Sequence, residues 1–206
     1  MKKLIAMAFL SLSGSAYAQF KFPSKLTGNR TEKQADRKVI PSIKMDIQKV
    51  ARDLYEGFNN TKGDTLGYSN SVITFKSKVV PAGATECTVI QHPYPNSYSW
   101  QAVMFASEDF DEAVSKYKNY YKQLFGSMIT FNDNTSYKLT GEYDLPDDGR
   151  SFAASMLKLD EPGEKLKAFK IEIGLNYTFP EWSVSILVYE KMADEDIRPM
   201  SDVRVF

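Results

Sequence analysis

The sequence predicts an α+β fold in which an antiparallel sheet carries helices packed on one face. Three observations predict it. Two segments, 43–58 and 110–124, place apolar residues at helical steps of three and four, several later runs alternate apolar with polar residues, and both halves follow one order, helix before sheet. A sheet dry on one face and wet on the other is not the parallel sheet of a nucleotide-binding fold.

The elements follow in chain order. Lys2 and Lys3, the apolar run Leu4 to Leu12 and the small-x-small triplet Ala16-Tyr17-Ala18 read as a bacterial secretory signal peptide, residues 1–18, cleaved after Ala18. The run is shorter than the roughly 20 residues of a membrane span, and no later stretch supplies one, so no transmembrane segment is expected and the location is periplasmic or secreted. Residues 19–41 carry Lys21, Lys25, Arg30, Lys33, Arg37 and Lys38 against Glu32 and Asp36, a basic, loosely ordered arm. Residues 42–206 form a single α+β domain that ends in a polar C-terminal tail.

Ser42 caps a first helix whose buried face is Ile43, Ile47, Val50, Ala51, Leu54 and Phe58, with an end at 59–63. Runs at 71–80, 85–91 and 98–106, separated by Pro81-Ala82-Gly83 and by 92–97, make a three-strand meander. The second helix buries Phe110, Ala113, Val114, Tyr117, Tyr121 and Leu124. Asp109 and Glu112 form its capping box, and Gly126 supplies the stop. Strands follow at 137–145, 152–159, 168–179 and 182–189. Tyr137, Leu139, Gly141, Tyr143 and Leu145 share one face of the first, and Phe169, Ile171, Ile173, Leu175 and Tyr177 share one face of the third. Pro146-Asp147-Asp148-Gly149 reads as a hairpin turn.

The halves read as copies, 42–107 and 108–190, of one helix-plus-meander unit, the second with an extra strand. Leu54, Tyr55 and Phe58 match Tyr120, Tyr121 and Leu124, and Trp100 to Glu108 matches Trp182 to Glu190. Two helix-plus-antiparallel-sheet halves in an exported chain resemble, in element order alone, the tandem architecture of the β-lactamase inhibitor proteins. The likeness implies fold only, and a chain with Cys87 alone lacks that family's disulfides.

Composition narrows the function. The 206 residues include 26 Lys plus Arg, 26 Asp plus Glu, one His and one Cys. Removing Lys2 and Lys3 leaves 24 basic residues against 26 acidic, which argues against a nucleic-acid partner. Cys87 lies in an alternating run and reads as a buried structural thiol. With His92 the only histidine and no Gly-x-Ser-x-Gly elbow, no catalytic triad is expected. A lone His and a lone Cys cannot make a zinc set, and Glu142, Asp144, Asp147 and Asp148 do not have calcium-loop spacing, so neither metal nor cofactor is expected.

What remains is aromatic surface, with 12 Tyr and 13 Phe. The Pro-stiffened loop carrying His92, Tyr94, Asn96, Tyr98 and Trp100 is the sequence's candidate for binding a protein or glycan partner. Thr178 to Trp182 occupies the matching place in the second half. The expected function is therefore an exported, non-enzymatic binding protein of the bacterial cell envelope. The alternative is a carboxylate-dependent hydrolase acting on an envelope or extracellular polymer.

Overall fold

The computed structural model describes residues 42–93 and 97–191. The signal, the basic arm, the C-terminal tail, Tyr94 and Asn96 lie outside the described residues.

Helix α1 spans Ile43–Leu54, with the Ser42 hydroxyl accepting the Lys44 N–H at 3.4 Å. Its apolar side is buried as the spacing predicts, at Ile43, Ile47, Val50, Ala51 and Leu54. It ends earlier than 59–63 because Gly57 and Phe58 turn left-handed, at φ 66° and 56°. The buried Asp53 carboxylate fastens this turn, accepting the N–H groups of Asn60 at 2.9 Å and Thr61 at 2.6 Å. Phe58, carried inward, is fully enclosed.

The chain passes directly into β1, Lys62–Ser69. Alternation does not reveal this strand, because its two glycines and its mostly exposed side chains show no dry face. Asn70 and Ser71, at φ 49° and 65°, turn it back into β2, Val72–Ser77, the tight primed geometry that two-residue hairpins favour. β3 (Glu86–Gln91) and β4 (Tyr98–Ser107) complete the first half. Helix α2, Phe110–Leu124, starts at Asp109, whose carboxylate accepts the Glu112 N–H at 3.1 Å. The Glu112 carboxylate does not close the expected box on Asp109; it takes the Ser107 hydroxyl proton at 2.9 Å.

Four strands follow a short one: β5 (Met128–Thr130), β6 (Ser136–Gly141), β7 (Phe152–Leu159), β8 (Phe169–Thr178) and β9 (Glu181–Glu190), with a 3₁₀ turn at Glu164–Leu166. β6 stops at Gly141, short of the expected 145. At Gly141 the backbones of β6 and β7 meet so closely that a Cβ would sit 2.1 Å from the Met156 carbonyl oxygen. Beyond it the chain leaves the sheet, held by Asp144, which accepts the Ala154 N–H and an Arg150 guanidinium N–H at 3.1 and 3.0 Å.

Among the described residues nine strands join one antiparallel sheet, ordered β1-β2-β3-β4-β9-β8-β7-β6-β5. The described residues are mostly sheet, so the α+β class holds only in part. Register places Cys87, Ala102, Ile186, Ile173 and Ser155 in one row across five strands, and Val89, Trp100, Val188, Ile171 and Leu157 in the next. Every one of these side chains is buried. Helix α1 contacts α2, β4, β5 and β9, and α2 contacts β4, β8 and β9. Among the described residues, no helix is long and apolar enough to cross a membrane.

Candidate functional site

The sequence-predicted loop does not converge on one surface in its described members. Trp100 is wholly enclosed, and its indole N–H donates to the Ser77 hydroxyl at 2.9 Å. Tyr98 is half-buried: its ring meets Phe58 edge-on at 6.4 Å, and the Lys62 ammonium sits 4.6 Å from its centroid. Alternation sends His92 to the opposite face, where its Nε2 lies 3.1 Å from the Ser99 hydroxyl. The matching turn after β8 is at the other end of the sheet, because β4 and β9 are antiparallel, with Ser99 beside Tyr189 and Ser107 beside Trp182.

An aromatic cleft of about 420 Å³ opens elsewhere, between the end of α1, the β5–β6 turn and the 3₁₀ turn. Phe131 is its floor. The ring is 6 % exposed and meets Tyr55, Tyr137 and Phe169 edge-on at 6.1, 6.1 and 5.7 Å. Tyr55 and Tyr137 form walls, and Arg52, Asn132, Asp133, Glu164 and Lys165 supply the polar rim. A larger hollow of about 730 Å³ beside β6 and β7 is lined by Tyr143 and rimmed by Glu142, Asp144 and Lys158. The aromatic cleft is the better recognition surface, since large apolar faces beside a few fixed polar groups are what ligand sites use.

Local chemistry sets the cleft's shape. The Gln48 side-chain amide pairs with the backbone of Thr130, donating to its carbonyl at 2.6 Å and accepting its N–H at 2.9 Å; Arg52 Nε donates to the same carbonyl at 2.8 Å. Helix α1 thereby covers the outer edge of β5 and brings Tyr55 over Phe131. The turn itself is built by Asn134, at φ 63°, and by the Asp133 carboxylate, which accepts the Thr135 hydroxyl and N–H at 2.6 and 3.0 Å. Those hydrogen bonds hold Asp133 below the usual carboxylate range. Asn132 donates to the Glu56 carboxylate at 2.7 Å. Lys165 has neither a hydrogen bond nor an ion pair among the described residues, so its ammonium is available at the rim.

One proton-sharing pair adjoins the cleft. The Tyr55 hydroxyl donates to Glu190, and burial, then the charge and hydrogen bond of Glu190, push the phenol far above its ordinary value. Burial raises the Glu190 carboxyl in turn, against the opposing pull of the Tyr55 hydrogen bond. Among the described residues no group of three or more His, Cys, Asp or Glu is placed to hold a metal ion.

Sequence reasoning missed Tyr55, Phe131 and Tyr137 as a set. Tyr55 follows the helix, Phe131 opens an Asn-rich turn, and only tertiary contact across some 80 residues joins them. Compared with protein-family models, curated proteins and solved structures, the chain matches none.

Proposed function

We propose that the protein is an exported, non-enzymatic binding protein of the bacterial cell envelope that takes a glycan in the aromatic cleft. The signal-like leader cleaved after Ala18 supports a periplasmic or secreted location. The observation that carries the ligand class is the pairing of the Tyr55, Phe131 and Tyr137 rings with the polar rim of Arg52, Asn132, Asp133 and Lys165. A sugar ring has apolar C–H faces that lie against aromatic rings and hydroxyls that need such donors and acceptors.

Titration calorimetry with soluble cell-wall and exopolysaccharide oligosaccharides tests this reading. At least one should bind saturably, and Tyr137→Ala, still cooperatively folded at the assay temperature, should weaken it tenfold or more. Failure of every oligosaccharide to bind, or equal binding by Tyr137→Ala, would sink it.

The hydrolase alternative draws on one observation: Asp133, pulled down, lines the cleft, and Glu190, pushed up, interacts with Tyr55 of the cleft wall. Carboxyls driven apart in this way divide acid and base roles in glycosidases. Release of shorter products on long incubation, abolished by Glu190→Gln, would move the protein into that class.

The helices sharing one face, and the origin of the halves by duplication, are part of the same proposal. The sheet order supports duplication: each half runs helix then strands outward to inward, and the two final strands, β4 and β9, pair antiparallel at the centre.

A further inference from the structure

We infer that the end of the sheet opposite the aromatic cleft carries a second binding site, one for an organic cation of the guanidinium or alkylammonium class. The cleft at α1 lies by the start of β8, where Phe131 meets Phe169; this second hollow, about 490 Å³, lies by the end of β8. It is lined by Glu108, Phe110, Asp148, Gly149, Ser151, Tyr177 and Trp182.

Three rings build it. Tyr177 and Trp182 are cross-strand partners, with centroids 4.9 Å apart and planes at 40°, and Phe110 at the start of α2 lies 4.8 Å from Trp182. Trp182 is 8 % exposed and therefore fixed, whereas Tyr177 is 37 % exposed and open to a ligand. Two carboxylates complete the lining. Glu108 and Asp148 are exposed, and neither has an ion pair or a hydrogen bond among the described residues.

Among the described residues, no basic side chain lines the hollow. The nearest in sequence, Arg150, is committed to the Asp144 carboxylate and the Leu145 carbonyl. Aromatic faces attract cations through the ring quadrupole, and two uncompensated carboxylates add charge of the sign that repels anions. A cation with an apolar periphery satisfies both features, so a guanidinium or alkylated ammonium is selected over a simple metal ion. This site shares no residue with the glycan cleft, and either proposal can fail alone.

The test uses the full chain and its two indole N–H signals in nitrogen-15 NMR. Trp100, tied to Ser77 in the core, is the internal control. Nα-acetylargininamide and tetramethylammonium should shift the Trp182 signal saturably and leave the Trp100 signal in place, and Nα-acetylcitrullinamide, the neutral isostere, should move neither signal. E108Q/D148N, two exposed substitutions that spare the core, should weaken binding about tenfold at low ionic strength. An acetyl-Gly-Arg-Gly peptide amide that binds as well as Nα-acetylargininamide identifies a polypeptide side chain as the source; binding by the small cations alone identifies a free amine. Equal shifts with Nα-acetylcitrullinamide, undiminished binding by E108Q/D148N, or an unmoved Trp182 signal would overturn the assignment.

Discussion

Tyr117 and Tyr143 are neighbours with opposite polar fates. Their rings lie 5.5 Å apart, and Tyr143 also packs 5.0 Å from Tyr121. The Tyr117 hydroxyl is bonded to the Ser155 hydroxyl at 2.6 Å and to the Asp144 carbonyl at 3.2 Å, and burial pushes it up to about 12. The Tyr143 hydroxyl is enclosed and has no hydrogen-bond partner among the described residues. An unpaired buried hydroxyl costs about 1–3 kcal/mol. Tyr143→Phe keeps the ring and removes that cost, so urea unfolding should show unchanged stability or a gain of up to about 1 kcal/mol; a clear loss would reveal a partner. Cys87 offers a second test at this scale. Alternation marked it as a structural thiol; it is 8 % exposed, and burial, then the charges of Glu86 and Asp46, push it up to about 11. Because the thiolate is the reactive form, a disulfide reagent at mild alkaline pH should label the folded protein only as it unfolds. Rapid stoichiometric labelling would overturn that reading.

At the scale of elements, the two sheet edges differ. The free side of β5 is covered by Gln48 and Arg52 of α1. Among the described residues β1 is the other edge strand, and it carries two register irregularities with Lys62 and Asp64, features that discourage strand addition. Gln48→Ala should therefore speed amide exchange at Thr130 and lower stability by about 1 kcal/mol, the net worth of one to two such hydrogen bonds. Protection unchanged at Thr130 would show that α1 does not hold this edge. Two strand glycines make a matched pair. Gly141→Ala drives a Cβ onto the Met156 carbonyl and should cost at least about 3 kcal/mol by forcing β6 from β7, while Gly67→Ala meets nothing within 4 Å and should be neutral or slightly stabilising. Equal melting points for the two variants would refute the close approach. The sequence displayed β8 clearly, because its large apolar residues Phe169, Ile171, Ile173 and Leu175 are buried at every second position. It hid β5, because three residues cannot show a period, and that strand exists only through its pairing with β6 and its docking on α1.

For the whole molecule, acid and neutral conditions act on two carboxyls in opposite directions. Burial raises Glu190, so the folded state binds this proton more tightly than the unfolded chain does. Its contribution is complete below the unfolded value of roughly 4.3 and is lost as pH rises through the folded value. Asp144 is lowered: burial pushes upward, but the Arg150 hydrogen bond, the Ala154 amide and the Arg150 charge outweigh it. Its contribution is present above the unfolded value of roughly 3.9 and is lost on acidification through the folded one. Glu190→Gln should flatten the decline of stability as pH rises above the unfolded value of roughly 4.3 and leave the acid limb in place. A variant curve parallel to that of the parent above that value would remove Glu190 from the balance.

Local periodicity by itself determined both helices, the antiparallel character of the sheet and most of its dry face, because burial on one side imposes a repeat that the residues must follow. It also determined that the chemistry is poor in His and Cys, a matter of composition that no folding changes. Only the tertiary structure decided which aromatics face solvent. Trp100 and Trp182 lie near the starts of β4 and β9, yet Trp100 is sealed in the core while Trp182 stands beside an open hollow. Antiparallel pairing of β4 with β9 sends the two loops to opposite ends, and docking of β5 on α1 assembles Tyr55, Phe131 and Tyr137 from distant parts of the chain. A strand's own alternation fixes which side chains share a face, but the neighbours that cover or expose that face come from elsewhere in the sequence.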